Sequence, residues 1–179
     1  LNILPPGVER HVVNGGGLTG FQIFPDDELE IINNEGNQIC EIICFNKDGK
    51  SDVGILNLKS NNKKNFIRNI LDGKDETILA TNYQLKKRNL NISESKSSII
   101  FDPDTKAGES MKFKSKDKCF AIFAAPGDDM DITNQNPPSD LTIFIKRFKI
   151  VNDKELNVIP DPVFELSLIH ISEPTRRLI

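Results

Sequence analysis

Side chains able to do chemistry are few along these 179 residues, and their spacing excludes more than it allows. Histidine is scarcest, with His11 and His170 the two in the sequence. Zinc sites built on clustered histidines, and Ser-His-Asp triads, find little material here. His11 lies in a β-forming run, where a hydrogen-bonded or solvated strand histidine is the expectation. Cys40 and Cys44 are four apart, an even offset that points both to one face of an extended strand. At ~3.3 Å per residue they stand about 13 Å apart, too far to share one metal ion without a bulge. With Cys119 they are the weak candidates for metal ligands. The expectation is three core thiols, no metal and no catalytic residue.

Glu41 is the lone charge in the run Ile39-Cys40-Glu41-Ile42-Ile43-Cys44-Phe45. A carboxylate so placed either reaches solvent or binds a partner, which makes it the best single candidate in the first half. The loop 126–140 gathers Asp128, Asp129, Asp131, Asn134, Gln135 and Asn136 between two strong strands, and oxygen-rich clusters can hold a hard cation. Asp129-x-Asp131-x-Thr133 lacks the glycine and terminal glutamate of an EF-hand loop, so a structured loop with polar turns, or a polar rim over a pocket or domain interface, is the preferred interpretation. A small-molecule pocket under this loop would draw on Glu41, Asn46, Asp128, Asp129 and Asp131. Gly15-Gly16-Gly17-Leu18-Thr19-Gly20 fits the G-x-G-x-x-G spacing, but a phosphate cradle needs the last glycine to open a helix. Phe21 to Phe24 read as strand and Pro25 follows, which predicts an inter-strand loop.

The elements that must position these residues are mostly strands. ERHVV (9–13), GFQIF (20–24), ELEII (28–32) and QICEIICF (38–45) are β-branched and apolar runs separated by turn clusters at meander spacing. Asn34-Glu35-Gly36 has the chemistry of a hairpin loop. The period then changes. Ser60 is placed to cap a first helix with Phe66, Ile67, Ile70 and Leu71 on one stripe and Gly73 as its stop. A second helix is expected from Asp75 to Arg88, with Ile78, Leu79, Tyr83 and Leu85 inward and Lys86, Lys87 and Arg88 at its C-terminal end. SSIIF (97–101), SMKFKS (110–115), CFAIFAA (119–125) and LTIFIKRFKI (141–150) return to β. The fold class is therefore mainly β, sandwich or barrel-like, with a two-helix insertion, bordering on α+β.

The formal charge is −3, with lysines and carboxylates interspersed, which argues against nucleic acid as a partner. An odd cysteine count without a paired framework suits a reducing cytoplasm. No apolar run of about 18 residues is present, so no membrane partner is expected. The stretch LSLIHISEPTR (166–176) resembles a translated sequencing adapter, and 166–179 is set aside on that expectation, taking His170 with it. The remainder divides into a β domain over 1–150 and a linker or start of a next unit over 151–165, punctuated by Pro160 and Pro162.

Two blocks, EIINNEGNQICEIICFN (30–46) and IFAAPGDDMDITNQNPPSDLTIFIKR (122–147), resemble the urea-carboxylase-associated domain family. Members of that family include amidine-hydrolysing and urea-metabolism enzymes that use a metal held by Cys and His. Here Ala125 stands where a cysteine often precedes the proline, and no His-containing block appears. The chain is more similar to the version at the N-terminus of folate-dependent aminomethyltransferases related to the glycine cleavage T-protein, which share AAPG-x-x-M (124–130) and a final strand ending in a basic pair, Lys146-Arg147. That resemblance implies a non-catalytic accessory or binding domain, a downstream catalytic domain as its partner, tetrahydrofolate bound in that downstream part and none in this chain, and a small amine as substrate. The alternative it implies is a metal-assisted C–N hydrolase of urea or guanidine metabolism. A third class, a pure interaction module, would show an exposed apolar patch and no concave site.

Overall fold

In the computed structural model, which describes residues 4–61, 65–127 and 137–149, the β-branched and aromatic runs become eight strands. They are β1 (Val8–Val13), β2 (Leu18–Ile23), β3 (Glu28–Asn33), β4 (Cys40–Asn46), β5 (Ser97–Ile100), β6 (Ser110–Lys114), β7 (Cys119–Ala124) and β8 (Leu141–Lys146). Between β4 and β5 lie α1 (Phe66–Ile70) and α2 (Glu76–Lys87). The strands form two antiparallel sheets, ordered β1-β8-β3-β6 and β2-β7-β4-β5. The fold is mainly β with a helical insertion between its halves, as the sequence predicts. Among the described residues no helix is long and apolar enough to cross a membrane.

The meander is not what forms. Successive strands β1 to β4 alternate between the two sheets, so the turn at Asn34 to Asn37 carries the chain across the sandwich and makes no hairpin. Its glycine and asparagine do take positive φ, Gly36 at 79° and Asn37 at 58°. Such residues permit a reversal without choosing which sheet receives the next strand. Burial makes that choice. Strand β7 is buried on both faces, as is β4 up to its last residue, because one face meets the other sheet and the other meets the helices. Phe21, Phe123, Ile42, Cys44, Ile31 and Ile143 fill the space between the sheets. Ile43, Phe45, Phe120 and Ile122 project the other way, against Ile67, Leu71, Ile78 and Leu85 of the helical layer. Each such buried side chain contributes ~1.5–3 kcal/mol, which is why these strands read as continuous apolar runs.

The first helix starts later than Ser60. Asn65 caps it, its Oδ1 accepting from Arg68 N at 3.1 Å, and only five residues are helical. The second begins and ends as expected, with Asp75 accepting from Thr77 N at 2.9 Å. Its inward face differs. Ile78 and Leu85 are buried, but Leu79 and Tyr83 are 53% and 47% exposed, and Thr81 and Gln84 take the inner positions. A stripe through 78, 81 and 85 follows the 3.6-residue period and leaves 79 and 83 outside. Gln84 is tolerated there because its oxygen accepts from Arg88 Nε at 3.4 Å.

One end of the sandwich is closed by a buried guanidinium. Arg147, just past β8 and 6% exposed, donates through Nε to Glu9 Oε2 at 2.7 Å and through Nη1 to Asp27 Oδ2 at 2.9 Å and Gln22 O at 2.7 Å. Its partners come from β1, from β2 and from the β2–β3 turn, so a single side chain ties both sheets. Asp27 is itself held by Phe24 N at 2.9 Å and Phe148 N at 3.0 Å. Burial works to raise the Glu9 carboxyl, but the His11 hydrogen bond and the Arg147 charge outweigh it and take Glu9 from 4.5 to about 2. A depressed carboxyl contributes stability above about pH 4.5 and loses it as pH falls toward about 2. Urea unfolding across that window should show up to ~3 kcal/mol of acid-dependent loss. Glu9→Gln should remove this component, and an unchanged pH slope in the variant would contradict the assignment.

Candidate functional site

The opposite end gathers the loops that leave β1 and β3 and the two feet of the loop that joins β7 to β8. Here the glycine triplet packs backbone to backbone against the feet of the late loop. Gly16 N donates to Ala125 O at 2.7 Å, Ala125 N to Gly17 O at 3.0 Å, and Gly15 N to Asp140 Oδ1 at 2.8 Å. A Cβ on Gly15 would stand 2.3 Å from Pro138 O, so nothing larger than glycine fits. At Gly20, the last glycine of the spacing, a Cβ would stand 2.8 Å from the Phe120 ring, which occupies that space. The motif is thus a packing device, with no helix behind it.

Gln38 joins the two sequence blocks. It is 3% exposed, donates through Nε2 to Pro126 O at 2.8 Å and accepts at Oε1 from Ser139 N at 2.9 Å. One amide therefore spans both feet of the loop, and Gly127 and Pro138 approach within about the 3.7 Å that a Cβ on Gly127 would leave. Asn33 supports the turn behind it, donating through Nδ2 to Gln38 O at 2.7 Å, while its own buried Oδ1 accepts no hydrogen bond among the described residues. Asp128, Asp129 and Asp131 lie outside the described residues. Sequence reasoning quoted Gln38 only as part of its block. The signal that singles it out is a lone amide at the edge of an apolar strand, where an unpaired polar group is costly.

Glu41 is fully buried in register with Ala124, at this same end. Its carboxylate accepts from Ile67 N at 2.7 Å, Phe66 N at 3.3 Å and Ser97 Oγ at 3.2 Å. The first turn of a helix leaves N–H groups without backbone acceptors, and Glu41 takes two of them. Asn46 lies at the far end of β4, five residues or ~17 Å away. Its Oδ1 accepts from Asp48 N at 2.9 Å and Lys50 N at 3.0 Å, closing a turn. The structure brings Glu41 toward the loop feet and places Asn46 elsewhere.

Cys40 and Cys44 share the inward face of β4, as the even offset predicts, and Cys119 lies beside Cys44 across the β4–β7 pair. All three are free and buried. The hydrogen bond with Cys119 and then burial raise the Cys44 thiol well above its ordinary range, while burial and the Glu41 charge push up Cys40. Neither is poised as a thiolate nucleophile. His11 bonds Glu9 Oε1 at 2.9 Å and packs 4.3 Å from the Phe21 ring. Among the described residues no three His, Cys, Asp or Glu side chains converge to hold a metal ion. The loop end offers fixed backbone and amide groups, an arrangement suited to holding a small polar molecule or a loop.

Gln38→Ala should cost ~1–3 kcal/mol by stranding Ser139 N and Pro126 O. Hydrogen exchange at Ser139 should quicken at least tenfold, and unchanged protection there would contradict the bridge. Glu41→Gln should destabilise by a similar ~1–3 kcal/mol because the helix end loses a charged acceptor. Thermal unfolding unaffected by Glu41→Gln would free this residue from a structural role.

No family model matches the chain. A crystal structure of a DUF1989 family protein from Silicibacter pomeroyi, solved at 1.60 Å, aligns with a TM-score of 0.45 and 11% identity over 82% of either chain. The chain is 32% identical over 160 residues, 89% of its length, to the trimethylamine-oxide aldolase of Ruegeria pomeroyi. It spans 20% of the length of that enzyme.

Proposed function

We propose that the chain is a non-catalytic accessory and binding domain, of the urea-carboxylase-associated type, within a longer enzyme acting on a small amine or amine oxide. The observation that carries this is the 32% identity over 160 residues with trimethylamine-oxide aldolase. The geometry supports it. Gln38 joins the two blocks that carry the family resemblance, and the polar groups around it are spent on shaping the loop end. Small-molecule contact would fall at that end, on backbone and amide groups beside residues 126–139. The remainder of the polypeptide would hold an aminomethyltransferase-like catalytic domain related to the glycine cleavage T-protein. Tetrahydrofolate would be its cofactor and this chain its intramolecular partner in the cytoplasm.

The test compares the recombinant chain with the longer polypeptide that contains it. Turnover of trimethylamine oxide is expected from the longer protein and not from the chain alone, which should bind no tetrahydrofolate. Turnover by the chain alone, or hydrolysis of urea or guanidine by it, would overturn the proposal.

A further inference from the structure

Asn14-Gly15 is the one asparagine–glycine step in the sequence, and Asn14 is exposed. An asparagine amide can be attacked by the backbone nitrogen of the residue that follows it, which closes a five-membered imide. Glycine at that next position leaves the nitrogen unhindered, because it has no Cβ. The step therefore has the chemistry of a self-modification site. Its rate depends on whether Gly15 N is free to swing toward the Asn14 side chain.

The fold holds that nitrogen. Gly15 N donates to Asp140 Oδ1 at 2.8 Å. The Gly15 Cα is wedged against the second foot of the late loop, where a Cβ would stand 2.3 Å from Pro138 O and 2.9 Å from Ser139 N. Gly16 N donates to Ala125 O at 2.7 Å and Gly17 N to Asn14 O at 2.8 Å, so three consecutive N–H groups are engaged. Ring closure turns Gly15 N into an imide nitrogen that carries no hydrogen. Asp140 must lose its donor before the imide can form. The contact restrains the nitrogen and does not activate it, since a carboxylate is too weak a base to remove an amide proton. A charged acceptor strengthens the restraint, and the exposure of Asp140 limits it, because water competes for the same donor.

We propose that Asn14 is a site of spontaneous deamidation and that Asp140 is the latch that keeps it slow. In the step the bond between Gly15 N and Asn14 Cγ forms, the Asn14 Cγ–Nδ2 bond breaks, and the Gly15 amide proton leaves through solvent with Nδ2 as ammonia. Water then opens the imide at either carbonyl, which gives aspartate or isoaspartate with no change of oxidation state. Isoaspartate lengthens the backbone by one methylene and sets a new carboxylate beside the residue that Asp140 grips. Like charges and the longer chain then oppose the Gly15 and Gly16 contacts. Modification thereby unfastens the glycine triplet from both feet of the late loop. The proposal is independent of the enzyme reading above.

The test incubates the recombinant chain at neutral pH and follows Asn14 by mass spectrometry, reading the gain of one mass unit and separating isoaspartate by electron-transfer fragmentation. Deamidation should run at least ~5-fold slower than in a synthetic peptide of residues 10–19, and Asp140→Ala should speed it about fivefold, the scale of one lost hydrogen bond. Asp140→Asn keeps an acceptor without the charge and should fall between. Gln38→Ala loosens Ser139 without removing the acceptor of Gly15 N, and should speed the reaction less than Asp140→Ala does. In the modified chain hydrogen exchange at Gly16 and Ala125 should quicken, with Ile43 and Ile122 unchanged as the folding control. Deamidation as fast in the folded chain as in the peptide, no acceleration by Asp140→Ala, equal acceleration by Gln38→Ala, or unchanged exchange at Gly16 after modification would each overturn the proposal.

Discussion

A buried guanidinium sets the terms for this sandwich. Leaving Arg147 without partners would cost several kcal/mol, so the fold must bring carboxylates and a carbonyl to it. Glu9, Asp27 and the Gln22 carbonyl meet it from both sheets, and the burial that would disfavour its charge is outweighed by the two carboxylates that hold it protonated. Once that end is fixed, the strand directions put the loops after β1, β3 and β7 together at the other. The Gly15 contact and the Gln38 bridge are then consequences of where the strands must end.

The two ends differ in kind. At the Arg147 end, charge is neutralised inside and the chain is closed. At the loop end the bonds join amide and backbone groups, with the Asp140 carboxylate accepting from Gly15 N, and Glu41 spends its charge on the first turn of α1. The two sheets differ as well. One is covered on its outer face by the helical layer, whereas the other mixes apolar and charged residues outward, with Glu28 between Lys146 and Lys114 and Glu30 between Phe144 and Lys112.

Much of this was legible in the sequence because local chemistry and tertiary burial agreed. The apolar runs of β4 and β7 announced strands, and Asp75 with Lys86 and Lys87 marked the ends of α2. The even spacing of Cys40 and Cys44 placed both thiols inside. What was not legible depended on distant partners. Turn residues near Gly36 permit a reversal without specifying the sheet, so alternation between sheets stayed hidden. Leu79 and Tyr83 look like core residues until the stripe through Thr81 and Gln84 is set by packing on β2. Glu41 was offered solvent or a ligand, and a helix end 25 residues away had no signature in its neighbourhood. Gln38 and Arg147 are single polar residues whose partners lie about 90 to 140 positions distant, a separation no periodicity records.

We propose that this domain meets a small molecule at the loop end, while the thiol pair and the Arg147 end serve the fold. Titration of ¹⁵N-labelled chain with trimethylamine oxide, followed by amide chemical shifts, addresses it most directly. The account predicts saturable shifts clustered at Gly15, Gly16, Gly17, Gln38 and Ser139. Shifts centred on Cys44, Cys119 and Asn46, or none that saturate, would contradict it.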